Sequence, residues 1–237
     1  MQRASSGHKR PMSSAQPSPE NTPVEIVVQA YSPRYRKAAL HLLGIEGGHV
    51  NDPIDRGGET KFGISLRFLK AEGAFDEDGD GLADFDLDMD GDIDGADIRK
   101  LTVGDAIFLF HKCFWLRLQA ETFPVPIGEM LFDQAVNGGL VSARKLLQRA
   151  TNSCILLMPA SKTRIALLKV DGVIGNATRN AMLEVLQWPG LGLPALLTAY
   201  RDAARDRYRA IARLDPSQKR YLNGWLNRAD QLGRGFA

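Results

Sequence analysis

The chain has 237 residues, enough for one large domain or two small ones around a real core, and its 44% hydrophobic and 24% charged content excludes a wholly disordered or fibrous protein. The net charge of +2 conceals a division: residues 76–97 hold eleven acidic side chains and no Lys or Arg, and without them 17 acids face 30 bases, a net +13. A basic body suits an anionic polymer. Nucleic acid, anionic membrane and bacterial cell wall all qualify, so charge alone does not choose among them.

Residues 1 to about 23 are rich in Ser and Pro and almost free of apolar side chains, which reads as a disordered tail. Lys9 and Arg10 are followed by no apolar core, and Val24–Val28 is short and broken by Glu25. We therefore expect no signal peptide, and no stretch approaches the ~20 apolar residues of a membrane span. Ser32-Pro33 supplies an N-cap and a first-turn proline. Tyr35, Ala38, Ala39, Leu42, Leu43 and Ile45 then recur at helical spacing until Gly47-Gly48. Residues 49–66, rich in Gly, Asp and Pro, read as a small irregular hairpin. After the acidic segment, Thr102 and Asp105 form a capping box opening a helix through Phe108, Phe110 and Trp115. Beyond Pro124 and Pro126, helices are expected near 128–136, 140–150, 175–187, 194–213 and 217–232. In 193–214 the arginines at 201, 205, 207, 209 and 213 read as a solvated face over Leu197, Tyr200, Tyr208 and Ile211. Cys113 and Cys154 each sit among apolar neighbours and read as buried free thiols, which fits synthesis in a reducing compartment.

Glu46 stands out. It lies four after Leu42 and seven after Ala39, so it projects from the buried face of the first helix at its C-terminal end. Desolvation and the negative end of the helix dipole both favour its protonated form, the state a glycosidase needs to donate a proton to a leaving oxygen. A frayed end, with Glu46 capping or pairing with an arginine, is the alternative. The hairpin beyond carries Asp52, Asp55 and Thr60 beside Gly57-Gly58. The glycines admit a bulky sugar, Asp55 is suited to orient water or steady a cationic centre, and Thr60 to hold that water.

Glu46-Gly47-Gly48-His49-Val50-Asn51-Asp52-Pro53, followed by Asp55, Gly57-Gly58, Thr60 and Gly63-Ile64-Ser65, resembles the signature of glycoside hydrolase family 108, a family of phage and bacterial muramidases that includes secretion-associated members. His49 and Ser65 stand where that family more often has Tyr and Thr. The spacing of Asp55 nine and Thr60 fourteen residues after Glu46 is also similar to the catalytic set of phage-type lysozymes. The resemblance implies Glu46 as the essential acid, with Asp55 and Thr60 carried over beside it. Phe132–Gly139, Leu147–Ala150, Asp171–Gly175 with Thr178, and Gly224–Arg228 look like the predicted peptidoglycan-binding domain that accompanies this family. It implies a mainly α, lysozyme-like α+β fold: a helical bundle with one small β-hairpin by the active site. Gly58 and Asn137 would bind substrate, and Trp115 is either a cleft wall or a core residue.

Residues 73–99 depart from the family. Asp86, Asp88, Asp90, Asp92, Asp94 and Asp97 fall at positions 1, 3, 5, 7, 9 and 12 of a calcium loop, with Gly91 at 6 and Ile93 at 8. Asp at position 12 resembles dockerin loops. Asp76, Asp78, Asp80, Gly81 and Asp84 repeat the opening pattern ten residues earlier, but Leu87 holds their twelfth position, so one ion or a compact two-ion wrap both remain open. The ion is expected to be structural or regulatory Ca²⁺, because two-carboxylate glycoside hydrolysis does not use it.

These observations predict a disordered tail over 1–24, a lysozyme-like catalytic domain over 25–126 with a calcium insertion at 75–100, and a helical peptidoglycan-binding domain over 127–237. The expected function is peptidoglycan hydrolysis at the MurNAc–GlcNAc bond, by an endolysin or a secretion-associated muramidase. The partner is peptidoglycan, reached from the cytoplasm through a holin or comparable secretion pore, with no nucleic acid and no membrane span. A non-catalytic wall-binding or secretion-activating protein with a structural calcium site is the alternative reading.

Overall fold

Helix α1 (Pro33–Ile45) begins where the sequence places it, with the Ser32 hydroxyl accepting the Tyr35 N–H at 3.1 Å. The computed structural model describes residues 30–45, 49–50, 58–77, 79–159 and 165–236. The tail expected over 1–24 lies outside them. Three two-residue strands, β1 (His49–Val50), β2 (Thr60–Lys61) and β3 (Ile64–Ser65), form an antiparallel sheet in which Thr60 pairs with Ser65 and Lys61 with Ile64. The Ser65 hydroxyl then accepts the Phe68 N–H and starts α2 (Leu66–Glu72). After the acidic segment come α3 (Gly95–Lys100) and α4 (Val103–Phe110), the latter opened by the reciprocal Thr102–Asp105 box. A π-helical turn, His111–Trp115, continues α4 into the short α5 (Leu116–Leu118).

Helix α6 (Ile127–Gly138) is buried along most of its length, and α1, α4 and the π turn close around it. Tyr35, Trp115 and Phe132 meet edge-on, with ring centroids 5.3–5.8 Å apart, and Phe110 adds a fourth ring 6.2 Å from Phe132. Arg34 on α1 donates Nε and a terminal nitrogen to the two oxygens of Glu129 on α6, at 2.6 and 2.8 Å. Its other terminal nitrogen reaches the carbonyls of Glu121 and Phe123. Gly128 allows this approach, since a Cβ there would lie 2.3 Å from the Ala120 carbonyl oxygen.

Gly139 (φ +85°, ψ 152°), a conformation essentially confined to glycine, turns α6 directly into α7 (Leu140–Leu156). Helices α8 (Asn176–Gln187), α9 (Gly192–Leu214) and α10 (Leu222–Gln231) complete the mainly α fold with its small sheet. The last predicted helix divides: Asp215 caps a 3₁₀ segment, Pro216–Tyr221, before α10 starts. Tyr200 and Tyr208 on α9 are fully buried, as their spacing predicts. The arginines opposite them are more than a solvated face. Arg205 pairs with Asp230 on α10, Arg201 donates to the Leu232 carbonyl, and Arg207 reaches the Gly138 carbonyl. Both cysteines are free and buried.

Candidate active site

Strand β2, helix α2, the π turn and the α6–α7 junction surround a cleft of about 760 Å³. The sheet contributes Thr60, Gly63 and Ser65, and the π turn contributes Phe114, which stacks on Phe68 of α2 at 5.2 Å. From the opposite side come Asn137, Gly138, Gly139 and, from α9, Arg207. Arg117 in this wall is paired with Glu72 at 2.7 Å. The cleft thus joins apolar faces with hydroxyl, amide and guanidinium groups, the mixture that lets a saccharide stack and hydrogen-bond.

Among the residues singled out from sequence, Thr60 and Asn137 line this cleft. Thr60 Oγ1 donates to the Gly58 carbonyl at 3.2 Å, and Asn137 Oδ1 accepts the Tyr208 hydroxyl at 2.9 Å, which fixes its amide from behind. Gly58 adopts φ +77° just before β2, so it shapes the hairpin and is not among the residues lining the cleft. Trp115 is corrected to the core: it is 2% exposed, packs on Tyr35 and Phe132, and donates Nε1–H to Glu121 at 3.0 Å. Glu46, Asp52 and Asp55 lie outside the described residues. Sequence reasoning missed Arg207, because it stands among the arginines at 201, 205, 209 and 213 that read as a solvated face, and Phe114, because the π turn shifts the helical register.

The acidic segment folds around its own carboxylates. Asp86 accepts the N–H groups of Asp90 and Gly91 at 3.2 and 2.8 Å, with Gly91 at φ +98° in the sharp turn. Asp97, fully buried, accepts those of Leu87 and Asp94 at 2.6 and 2.7 Å. Carboxylate oxygens of Asp86, Asp88 and Asp97 lie within 4.8 Å of one another. Burial and then the neighbouring Asp90 and Asp97 charges push the Asp88 carboxyl above its ordinary value, and its buried Oδ1 has no hydrogen-bond partner. An orphaned oxygen facing two more buried carboxylates fits a hard divalent cation. Of the other predicted ligands, Asp90 accepts the Asp92 N–H and Asp94 caps α3 through Ala96 N–H. Ile93 is buried beneath the loop. The loop is tied to the cleft's sheet: Arg99 on α3 pairs with Glu59 at 2.8 Å, and Lys61 donates to the Arg99 carbonyl.

The motifs of the C-terminal half interlock with the cleft helices. Asp133 on α6 faces Arg228 on α10 at 2.9 Å. Gln148 accepts the Gly172 N–H and donates to Asp171 and the Val173 carbonyl, so the Asp171–Gly175 turn is pinned to α7. The Gln148 amide and then the Val173 N–H, both donating to it, hold the Asp171 carboxyl below its ordinary value.

Residues 39–139 match the family described as Glycosyl hydrolase 108, and residues 142–230 match the family described as Predicted Peptidoglycan domain. Brucella abortus SagA, a solved structure, is similar in fold: the alignment covers 84% of this chain and 95% of SagA, with a TM-score of 0.56 and 21% identity. No curated protein matches the chain. The hydrolase match takes in the hairpin, the π turn and α6, which line one cleft, and the peptidoglycan match follows three residues later; the chain carries a glycosyl hydrolase 108 domain joined to a peptidoglycan domain and is a peptidoglycan hydrolase.

Proposed function

We propose that this hydrolase cleaves the MurNAc–GlcNAc bond of the glycan strand, with Glu46 as the proton donor and Asp55 and Thr60 serving the attacking water. The observation that carries this reading is the cleft itself: Thr60 and Asn137 face a saccharide-sized space lined by the stacked Phe68 and Phe114. Glu46 directly follows α1, whose buried face packs on the helices behind the cleft. Protonated Glu46 gives its proton to the leaving oxygen. Water, held by Thr60 and giving its proton to Asp55, adds to the anomeric carbon of MurNAc as the C–O bond breaks, leaving a new reducing end.

Asp86, Asp88 and Asp97 hold Ca²⁺ in this reading, and Asp90 and Asp92 complete the loop around it. The bound ion neutralises the clustered carboxylates and keeps α3 in place. It takes no part in bond cleavage. Delivery to the wall runs from the cytoplasm through a holin or comparable secretion pore, as for an endolysin or a secretion-associated muramidase. Support for synthesis in a reducing compartment comes from the two buried, unbridged thiols.

Mass spectrometry of purified peptidoglycan after digestion by the wild type and by Glu46→Gln tests the assignment. The expected result is new reducing-end N-acetylmuramic acid from the wild type alone. Equal release by the two proteins removes Glu46 from the mechanism. Sedimentation of both with the wall, without release of sugar, replaces the hydrolase by a wall-binding protein.

A further inference from the structure

Tyr208, Trp225 and Tyr221 form an aromatic ladder across α9, α10 and the 3₁₀ segment between them. Tyr208 stacks on Trp225 at 5.4 Å and 24°, and Tyr221 leans on Trp225 at 5.8 Å and 34°. Tyr208 is buried at the base, whereas Trp225 and Tyr221 are only half-buried. The ladder borders a separate hollow of about 380 Å³ rimmed by Gln218, Asn137 and Arg207. That volume is at the small end of ligand pockets, roughly 300–1,000 Å³. Asn137 and Arg207 also line the cleft, so one amide and one guanidinium form the ridge between the two spaces. Their positions are held: the Tyr208 hydroxyl donates to Asn137, and the Arg207 guanidinium lies 5.6 Å from the Tyr208 ring centroid.

We infer that this hollow is a distal glycan subsite, where Trp225 and Tyr221 stack an N-acetylhexosamine ring of the same strand that occupies the cleft. The inference rests on the peptidoglycan reading above. Three observations commit the hollow to a sugar: half-exposed aromatic rings, a rim of amide and guanidinium donors, and continuity with the cleft through shared side chains. Hexosamine rings present C–H groups to aromatic faces and hydroxyl and acetamido groups to amides, so the lining matches. Arg207 on the ridge is placed to take a carboxylate of the muramyl substituent, from the stem peptide or, on a peptide-free strand, from the lactyl group itself. Strand length then matters: a long strand spans both spaces, whereas a short oligosaccharide fills the cleft alone.

The test compares wild type, Trp225→Ala and Tyr221→Ala on soluble glycan strands and on a short oligosaccharide. Calorimetric affinity in the Glu46→Gln background is measured beside KM and kcat in the active enzyme. Each replacement should weaken binding and raise KM about tenfold on long strands, with kcat unchanged and the short substrate unaffected. Thermal unfolding identifies a misfolded Trp225→Ala, and Tyr221→Ala, on the surface side of the ladder, then carries the comparison. Unchanged affinity for long strands in a folded variant overturns the subsite and leaves the hydrolase assignment standing. Equal losses on long and short substrates also overturn it, by showing a general effect on the fold. Absence of turnover by the wild type defeats the muramidase reading, while the calorimetric arm still decides the subsite.

Discussion

Replacing Arg34 by Met removes the counter-charge of Glu129, which is 2% exposed, and the donor to two backbone carbonyls. Both members of this pair are shielded, with side-chain exposures of 18% and 2%, so salt and water screen little of the loss. Breaking a buried pair by deleting one partner costs about 3–5 kcal/mol, because the surviving carboxylate keeps its desolvation penalty. For a chain of this size that corresponds to a fall in Tm of roughly 6–20 °C. Urea denaturation of Arg34→Met, Glu129→Met and the double variant provides the assay. Each single variant should lose about 3 kcal/mol or more, whereas the double variant recovers much of it, since apolar replacement of both partners removes the stranded charge. A loss under about 1 kcal/mol in Arg34→Met, or additive losses in the double variant, would refute the view that this pair clamps α1 to α6.

EDTA should lower the Tm and excess Ca²⁺ restore it: with free ion at a hundred times Kd, linkage supplies about 2.7 kcal/mol. Asp97→Asn should abolish that response, and an identical melting curve with and without chelator would exclude the calcium site. Burial pushes the Asp133 carboxyl up to about 7 and pulls the Arg228 guanidinium down to about 10, and each offsets the other's desolvation by facing it. In Arg228→Met the uncompensated carboxyl has a folded pKa raised further above its unfolded value near 4, so its stability contribution is complete below pH ~4 and is lost as pH rises through that raised value. The Tm of that variant should fall more steeply than the wild type's between pH 5 and 8, and parallel profiles would argue against the pairing.

The parts of this fold that were legible in the sequence are those whose cause is local. Ser32-Pro33 and Thr102–Asp105 announce helix starts because capping involves residues two or three apart. The turn built on the spaced aspartates is legible for the same reason, with Asp86 and Asp97 receiving backbone N–H groups from within their own loop. Trp115 could not be assigned because its indole partner, Glu121, is reached only after Gln119 turns left-handed at φ 54°. Nothing in the periodicity of 108–118 reports the π turn that sets Phe114 toward Phe68. Arg207 and the ladder at Tyr208, Tyr221 and Trp225 depend on how α9, α10 and the α6–α7 junction meet, and residues about 70 apart in sequence leave no local pattern. A half-exposed tryptophan on an otherwise polar stretch of α10 was the available signal.

The acidic segment sits beside the cleft and is tied to the hairpin that forms one of its walls. It leaves the chain after α2 and returns at α3, and α3 is bound back to the sheet on both sides of Thr60: Glu59 through Arg99, Lys61 through the Arg99 carbonyl. Gly95 permits this contact, because a Cβ there would lie 2.6 Å from Glu59 Oε2. Asp97, at the centre of the carboxylate cluster, belongs to the same short helix. Whatever fixes Asp97 therefore fixes Arg99, and through it the strand that carries Thr60. The far wall, at Asn137 and Arg207, depends instead on α6 and α9 and on their packing against the C-terminal half. The cleft is thus held from two sides, by the acidic segment through α3 at the hairpin and by α6 and α9 at the opposite wall.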